Sequence, residues 1–177
     1  ARDRILRTYH TYLDTSRPPE QAVITQAIAD LVGRGAQAIV AAEAYSVDDP
    51  ANELRVMEVA RAAGLPACGS HQISKRYGLK ARTRTAVINA SILPTMIRTA
   101  DMTEASVRQA GIRAPLMIMR GDGGAMGIDE MRSRPILTLL SGPAAGVAGA
   151  LMYARLSEGV FLEVGGTSTD ISAIKNG

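Results

Sequence analysis

The run Gly159-Val160-Phe161-Leu162-Glu163-Val164-Gly165-Gly166-Thr167-Ser168-Thr169-Asp170-Ile171-Ser172-Ala173-Ile174 constrains the fold of this chain more than any other stretch. An apolar segment ends in an acid, two glycines and three hydroxyl residues follow, and a second acid opens another alternating segment. The pattern predicts a strand, a tight turn and a returning strand. Glycine accepts positive φ and close backbone approach, so N–H groups at Gly165 and Gly166 can converge on an anion. Thr167, Ser168 and Thr169 add hydroxyl donors at the same tip, which suits a phosphate. A phosphate chain usually carries Mg2+, a hard cation that takes carboxylate or carboxylate-held water, and Glu163 and Asp170 are the candidates to supply it. The competing reading is an ordinary Gly-Gly hairpin with polar turn residues.

Upstream lies Ser141-Gly142-Pro143-Ala144-Ala145-Gly146-Val147-Ala148-Gly149-Ala150-Leu151-Met152-Tyr153-Ala154. Ser141 is placed to cap a helix, Pro143 sits in its first turn, and the small residues allow close packing. The N-terminus of that helix, at Ser141 and Gly142, is a second potential anion site. Small-residue helix, short loop, apolar strand, acid, Gly-Gly-Thr: this order resembles the second phosphate loop of the actin, sugar-kinase and heat-shock-chaperone ATPase superfamily.

Within that superfamily the sequence most resembles the hydantoinase/oxoprolinase family, whose relatives include acetone carboxylase subunits. The resemblance rests on 141–147 and 165–170, with support from Gly121-Asp122-Gly123-Gly124, Asp49-Pro50-Ala51-Asn52-Glu53-Leu54-Arg55 and Arg84-Thr85-Ala86-Val87-Ile88-Asn89-Ala90. It implies an α/β fold: part of a ribonuclease-H-like, actin-like ATPase lobe, preceded by a smaller α/β unit. Residues 1–112 would be the end of the family's N-terminal region, and 113–177 the start of its ATP-binding domain. The implied activity is ATP-dependent activation of a cyclic amide or ketone for ring-opening hydrolysis or carboxylation. The implied cofactors are ATP and Mg2+, and the implied partner is a second enzyme subunit of the hydantoinase B type. In that scheme Gly165, Gly166 and Thr167 hold phosphate oxygens, Ser168 and Thr169 donate hydroxyl bonds, and Glu163 and Asp170 order the metal and serve the chemistry. The alternative is a non-catalytic member that keeps the fold as a structural or partner-binding subunit.

Two departures stand out. The family's usual Asp before Val-Gly-Gly is Glu163 here, one methylene longer. The acid that precedes the helix proline in the chaperone relatives, where it positions the attacking water, is replaced by Gly142, so a hydrolytic base must come from elsewhere.

A 177-residue chain with 46% hydrophobic residues and only 3% aromatics can build one good core or two small lobes from Ala, Val, Ile, Leu and Met. No window approaches a membrane span. The single cysteine, Cys68, has no internal disulfide partner, which with no signal peptide at the start makes a cytoplasmic setting the default; a small buried residue is the expected role for it. The net charge of +3 is mild, and Lys75, Arg76, Lys80, Arg82 and Arg84 read as a solvated basic loop, with no aromatics to suggest nucleic acid. The abrupt start and an ending just after a hairpin returns suggest a piece of a longer protein, inactive by itself.

In order, the pattern predicts a helical segment with Tyr9 and Tyr12 near the start, a helix opened by Pro18-Pro19-Glu20 and closed by Gly33, and a strand over 36–42. A helix capped by Asp49, with Leu54, Met57 and Ala60 inward, then leads to a strand over 67–73. A long helix over 83–110 is expected to kink or split at Pro94. A strand over 116–119 runs into Gly121-Asp122-Gly123-Gly124, whose spacing fails the dinucleotide pattern and fits a turn bordering a ligand cleft, with Asp122 either a polar ligand of substrate or metal or a turn-stabilising acid. His10 and His71 lack partners at metal-ligand spacing, so zinc is not expected.

Overall fold

The computed structural model describes residues 6–155 and 157–176. They form two compact units that divide between Thr99 and Ala100. The first is built on a β-α-β core. β1 (Ile39–Ala41) and β2 (Ala67–Gly69) are parallel, with Ile39 opposite Ala67, Val40 opposite Cys68 and Ala41 opposite Gly69. α2 (Ala51–Ala62) is the crossover between them, and α1 (Gln21–Gly33) precedes the pair. Side chains alternate across a strand. Accordingly Ile39, Ala41 and Ala67 pack with Ile24, Ile28, Met57 and Ala60, whereas Cys68 packs with Ala86, Ala90 and Leu93 of α4 (Leu79–Gln109). The short sheet is thus covered on both faces, as parallel pairing requires. The fold is α/β.

Local sequence explains most boundaries. Both α1 and α2 end in Schellman turns whose glycines take positive φ, Gly35 at 104° and Gly64 at 77°. Leu65 N–H closes the second turn on the Ala60 carbonyl at 3.0 Å. Pro50, not Asp49, is the N-cap of α2; Asp49, one residue earlier, accepts the Ala51 N–H at 3.0 Å.

Several expectations need correction. Leu54 faces outward at 45% exposure and the acid beside it, Glu53, is the buried one at 2%. The strand expected over 67–73 stops at Gly69, and Ser70–Ile73 is a helical turn, α3. Pro94 does not split α4, which is one helix from Leu79 to Gln109. Residues 6–15 form no helix; the Arg34 guanidinium stacks 5.0 Å over the Tyr9 ring instead, and the part of that expectation on residues 1–5 lies outside the described residues.

The second unit contains the end of α4, the hairpin β3 (Met117–Met119)–β4 (Ala125–Gly127), α5 (Ile128–Ser133), a 3₁₀ turn over Pro135–Thr138, α6 (Ser141–Ala154), and the hairpin β5 (Glu158–Val164)–β6 (Thr169–Lys175). Ala100, Met126, Ile128, Met131 and Pro135 are buried in it. Arg132 ties α5 to α4 through Asp101 at 3.0 Å and Glu104 at 2.6 Å. Gly121-Asp122-Gly123-Gly124 is the β3–β4 turn: Asp122 accepts the Gly124 N–H at 3.0 Å and pairs with Arg120 at 2.6 Å. Those two bonds hold the Asp122 carboxyl below the usual carboxylate range. It stabilises the turn.

Candidate functional site

The β5–β6 hairpin has the predicted form. Glu163 lies directly opposite Asp170 and Val164 opposite Thr169, leaving Gly165, Gly166, Thr167 and Ser168 as the tip. Residues directly opposite share a face, with Cβ atoms about 5 Å apart. Both carboxylates therefore stand side by side just below the tip. Neither has a hydrogen-bond or ion-pair partner among the described residues. The tip is exposed, closed by one bond from the Gly165 N–H to the Ser168 carbonyl at 2.9 Å.

Neither Gly165 nor Gly166 takes positive φ, so the conformational freedom expected of them is not what the turn uses. Close approach is the remaining role of Gly165, where a Cβ would lie 3.3 Å from the Ser168 carbonyl; one on Gly166 would meet nothing.

Helix α6 begins at Ser141, but Leu140, at φ 60°, is the residue before its first turn, so Ser141 is inside the helix and not its cap. Gly142 sits in the first turn with open space around it. Of the helix glycines only Gly146 is closely approached. A Cβ there would collide with Glu163 Oε2 and lie 3.1 Å from the Phe161 ring. Gly149 meets nothing. The helix and the acid of β5 are therefore fitted to each other at one residue.

A second polar constellation, not anticipated from the sequence, lies in the first unit at the carboxyl ends of β1 and β2. Glu53 is its hub. Oε1 accepts the Glu43 N–H at 2.8 Å and the Ser70 hydroxyl at 2.7 Å. Oε2 accepts the His71 N–H at 3.0 Å and faces His71 Nδ1 at 2.5 Å. Burial pushes the Glu53 carboxyl up, but the donors from Ser70, His71 and Ser46 outweigh it and hold it below its ordinary value.

Arg82, assigned from sequence to a solvated basic loop, is 1% exposed. Its fork donates to the carbonyls of Glu43 at 2.7 Å and Arg76 at 3.0 Å, and to the hydroxyls of Ser46 at 3.2 Å and Ser70 at 3.3 Å. Among the described residues no carboxylate pairs with it directly. Glu53 is linked to it through Ser70. Five rigid donors let Arg bridge four oxygens where Lys would reach fewer. The spacing signal that marks this cluster is Gly69-Ser70-His71 after a strand, which is legible only once two parallel strands are aligned. Cys68, beside it, is buried, and burial pushes its thiol up, away from a nucleophile's range.

A parallel β-α-β unit and a Gly-Gly-Thr hairpin fitted to a small-residue helix together define an α/β protein of the type anticipated for the ATPase relatives. The Hydantoinase_A family model, described as hydantoinase/oxoprolinase, matches residues 82–177, more than half of the chain. The chain belongs to the hydantoinase/oxoprolinase family. It is 31% identical over 166 residues to the caprolactamase subunit alpha of Pseudomonas jessenii, covering 90% of this chain and 24% of that protein. It is 29% identical to the acetophenone carboxylase gamma subunit of Aromatoleum aromaticum, over 89% of this chain and 23% of that one. The crystal structure of ATP-dependent caprolactamase from Pseudomonas jessenii superposes with a TM-score of 0.70 at 29% identity, covering 89% of this chain and 24% of that one. Nucleotide-free acetone carboxylase gives a TM-score of 0.73 at 23% identity, over 90% of this chain and 23% of that one, a likeness of fold. The chain thus spans about a quarter of the length of these relatives. No helix among the described residues is long and apolar enough to cross a membrane.

Proposed function

We propose that this chain carries the second phosphate loop of an ATP-dependent enzyme that activates the oxygen of a cyclic amide or ketone for hydrolysis or carboxylation. The observation that carries this reading is the paired, unpartnered Glu163 and Asp170 beneath an exposed Gly-Gly-Thr tip, fitted to α6 at Gly146. Gly166 and Thr167 would hold phosphate oxygens through backbone N–H groups, Gly165, whose own N–H is spent on the Ser168 carbonyl, would allow close approach, and Ser168 and Thr169 would add hydroxyl donors. Ser141 and Gly142, in the first turn of α6, add helix N–H donors.

Two hard carboxylates with no competing partner fit Mg2+, which takes one or two protein carboxylates and fills its octahedron with water and phosphate oxygens. Glu163 and Asp170 would hold it there. ATP, when bound, supplies a phosphoryl group that turns a poor leaving oxygen into a good one. The boundary between the family's N-terminal region and its ATP-binding domain is assigned near residue 112, the setting is cytoplasmic, and the partner is a second subunit of the hydantoinase B type. Two of the relatives bear subunit names, alpha and gamma, which supports an assembly.

The test is nucleotide titration of the full-length protein with and without Mg2+, followed by product analysis on hydantoins, oxoproline, lactams and ketones. Tight, Mg2+-dependent ATP binding with turnover of one of these classes is expected. The competing reading, a structural subunit, is favoured by the longer acid at Glu163 and by Gly142 where the chaperone relatives carry an acid. A full-length protein that assembles with its partner but binds no nucleotide decides for it.

A further inference from the structure

We propose that His71 is a proton-accepting site: held by Glu53 at Nδ1, its Nε2 takes a proton from an O–H or N–H of a small polar ligand bound beside α3. The argument begins with the donor count. Glu53 accepts from the Glu43 N–H, the Ser70 hydroxyl and the His71 N–H, so its carboxylate is acceptor-only. At 2.5 Å the imidazole must then contribute the hydrogen, which fixes the neutral ring as the Nδ1–H form and leaves the lone pair on Nε2. Nε2 has no hydrogen-bond partner among the described residues, and the side chain keeps 15% exposure, so solvent reaches the ring. A His–Glu pair used only for packing gains by satisfying both nitrogens.

Three further observations agree. Gly69 makes room for this orientation: a Cβ there would stand 2.7 Å from His71 Nδ1 and Cε1 and 2.8 Å from Glu53 Oε2. The dyad sits at the carboxyl ends of β1 and β2, where open parallel sheets present ligands. Tyr45, next to the buried Ser46 of the same cluster, takes φ 61°, a strained value for a non-glycine residue of the kind found at functional sites.

The step balances without another reactant. The ligand's O–H or N–H bond breaks, Nε2–H forms, and the imidazolium charge lies against the Glu53 carboxylate. The ligand class rests on the function proposed above, where water adding to an activated ring carbonyl must lose a proton.

The experiment uses the full-length protein, ATP and a panel of lactams. His71→Ala is expected to lower turnover by about 10²–10⁴-fold with ATP affinity unchanged, and imidazole in solution to restore part of the loss. His71→Gln, which keeps an N–H for Glu53, loses as much without melting earlier. Turnover within about threefold of wild type in either variant overturns the proposal, as does a folded His71→Ala that imidazole fails to rescue. A wild type that binds ATP but opens no lactam sinks the functional reading instead. Diethyl pyrocarbonate then decides, with carbethoxylation followed by peptide mass spectrometry at neutral pH. His71 reacting as fast as the exposed His10 supports the site, and an unreactive His71 beside a modified His10 rejects it.

Discussion

The two polar regions of this molecule are built on opposite terms. Around Glu53 nearly every donor and acceptor is buried and spent: four contacts reach the carboxylate and four oxygens receive the Arg82 fork. At the β5–β6 tip the polar groups are exposed, and Glu163 and Asp170 hold no partner. A buried network that is fully satisfied is costly to break and therefore fixes geometry. An exposed, unspent set costs little to keep and leaves its bonds for a ligand. The difference teaches that substitutions at Glu53 and Arg82, whose bonds are all spent, should read out as stability, and those at the β5–β6 tip as binding.

The largest effect expected is at Glu53. Glu53→Leu strands the Glu43 and His71 N–H groups and the Ser70 hydroxyl, and removes the negative charge linked through Ser70 to buried Arg82. A loss of about 3–5 kcal/mol follows, read as a lower urea midpoint with unchanged slope. The same residue sets acid sensitivity. Its carboxyl is held below its ordinary value in the folded state, so its contribution is complete above pH 4.5 and is lost as pH falls below that. Glu53→Gln should flatten that acid limb. An unchanged limb would remove Glu53 as the hub.

The next effect is on binding. Asp170→Asn and Glu163→Gln each remove one hard donor without burying anything, so stability should hold within about 0.5 kcal/mol. Mg2+-dependent nucleotide affinity should fall about 10–100-fold by calorimetry, at the scale of one charge-assisted contact. Equal affinity in both variants would leave the tip an ordinary hairpin.

The unequal legibility of the two regions has a physical basis. The hairpin is local: its turn, strands and both acids lie within one short run, so the pattern alone puts Glu163 at the end of one strand and Asp170 at the start of the next, and the register adds that they lie directly opposite. The Glu53 cluster is assembled from four segments that only the β1–β2 pairing brings together. Glu53 itself sits one residue before Leu54, and a helical stripe read on hydrophobicity alone chose Leu54 for the inside. Arg82 misled for the same reason, since a basic run reads as solvated unless the carbonyls of Glu43 and Arg76 are known to await it. Pro94 did not split α4, a case of tertiary packing overriding local preference around a helix whose Ala90 and Leu93 are buried. Ser141 was displaced from the cap by one residue, within the usual uncertainty of helix ends.

The smallest expected effect is also the sharpest test of the comparison, because it sets two glycines of one helix against each other. A methyl at Gly149 meets nothing, so Gly149→Ala should gain about 0.5–1 kcal/mol from helix propensity alone, with nucleotide affinity untouched. A methyl at Gly146 meets Glu163 Oε2 and the edge of Phe161. The carboxylate ends a flexible side chain and can swing away, so the same propensity gain is largely cancelled and net stability moves by less than about 1 kcal/mol. What changes is where Glu163 points. Gly146→Ala should therefore lower Mg2+-dependent affinity by several-fold to about tenfold while melting where the wild type does. Combining it with Glu163→Gln gives the decisive cycle: if Gly146 acts by positioning that acid, the double variant binds no worse than Glu163→Gln alone. Additive losses would mean that the close fit of α6 to β5 serves packing only.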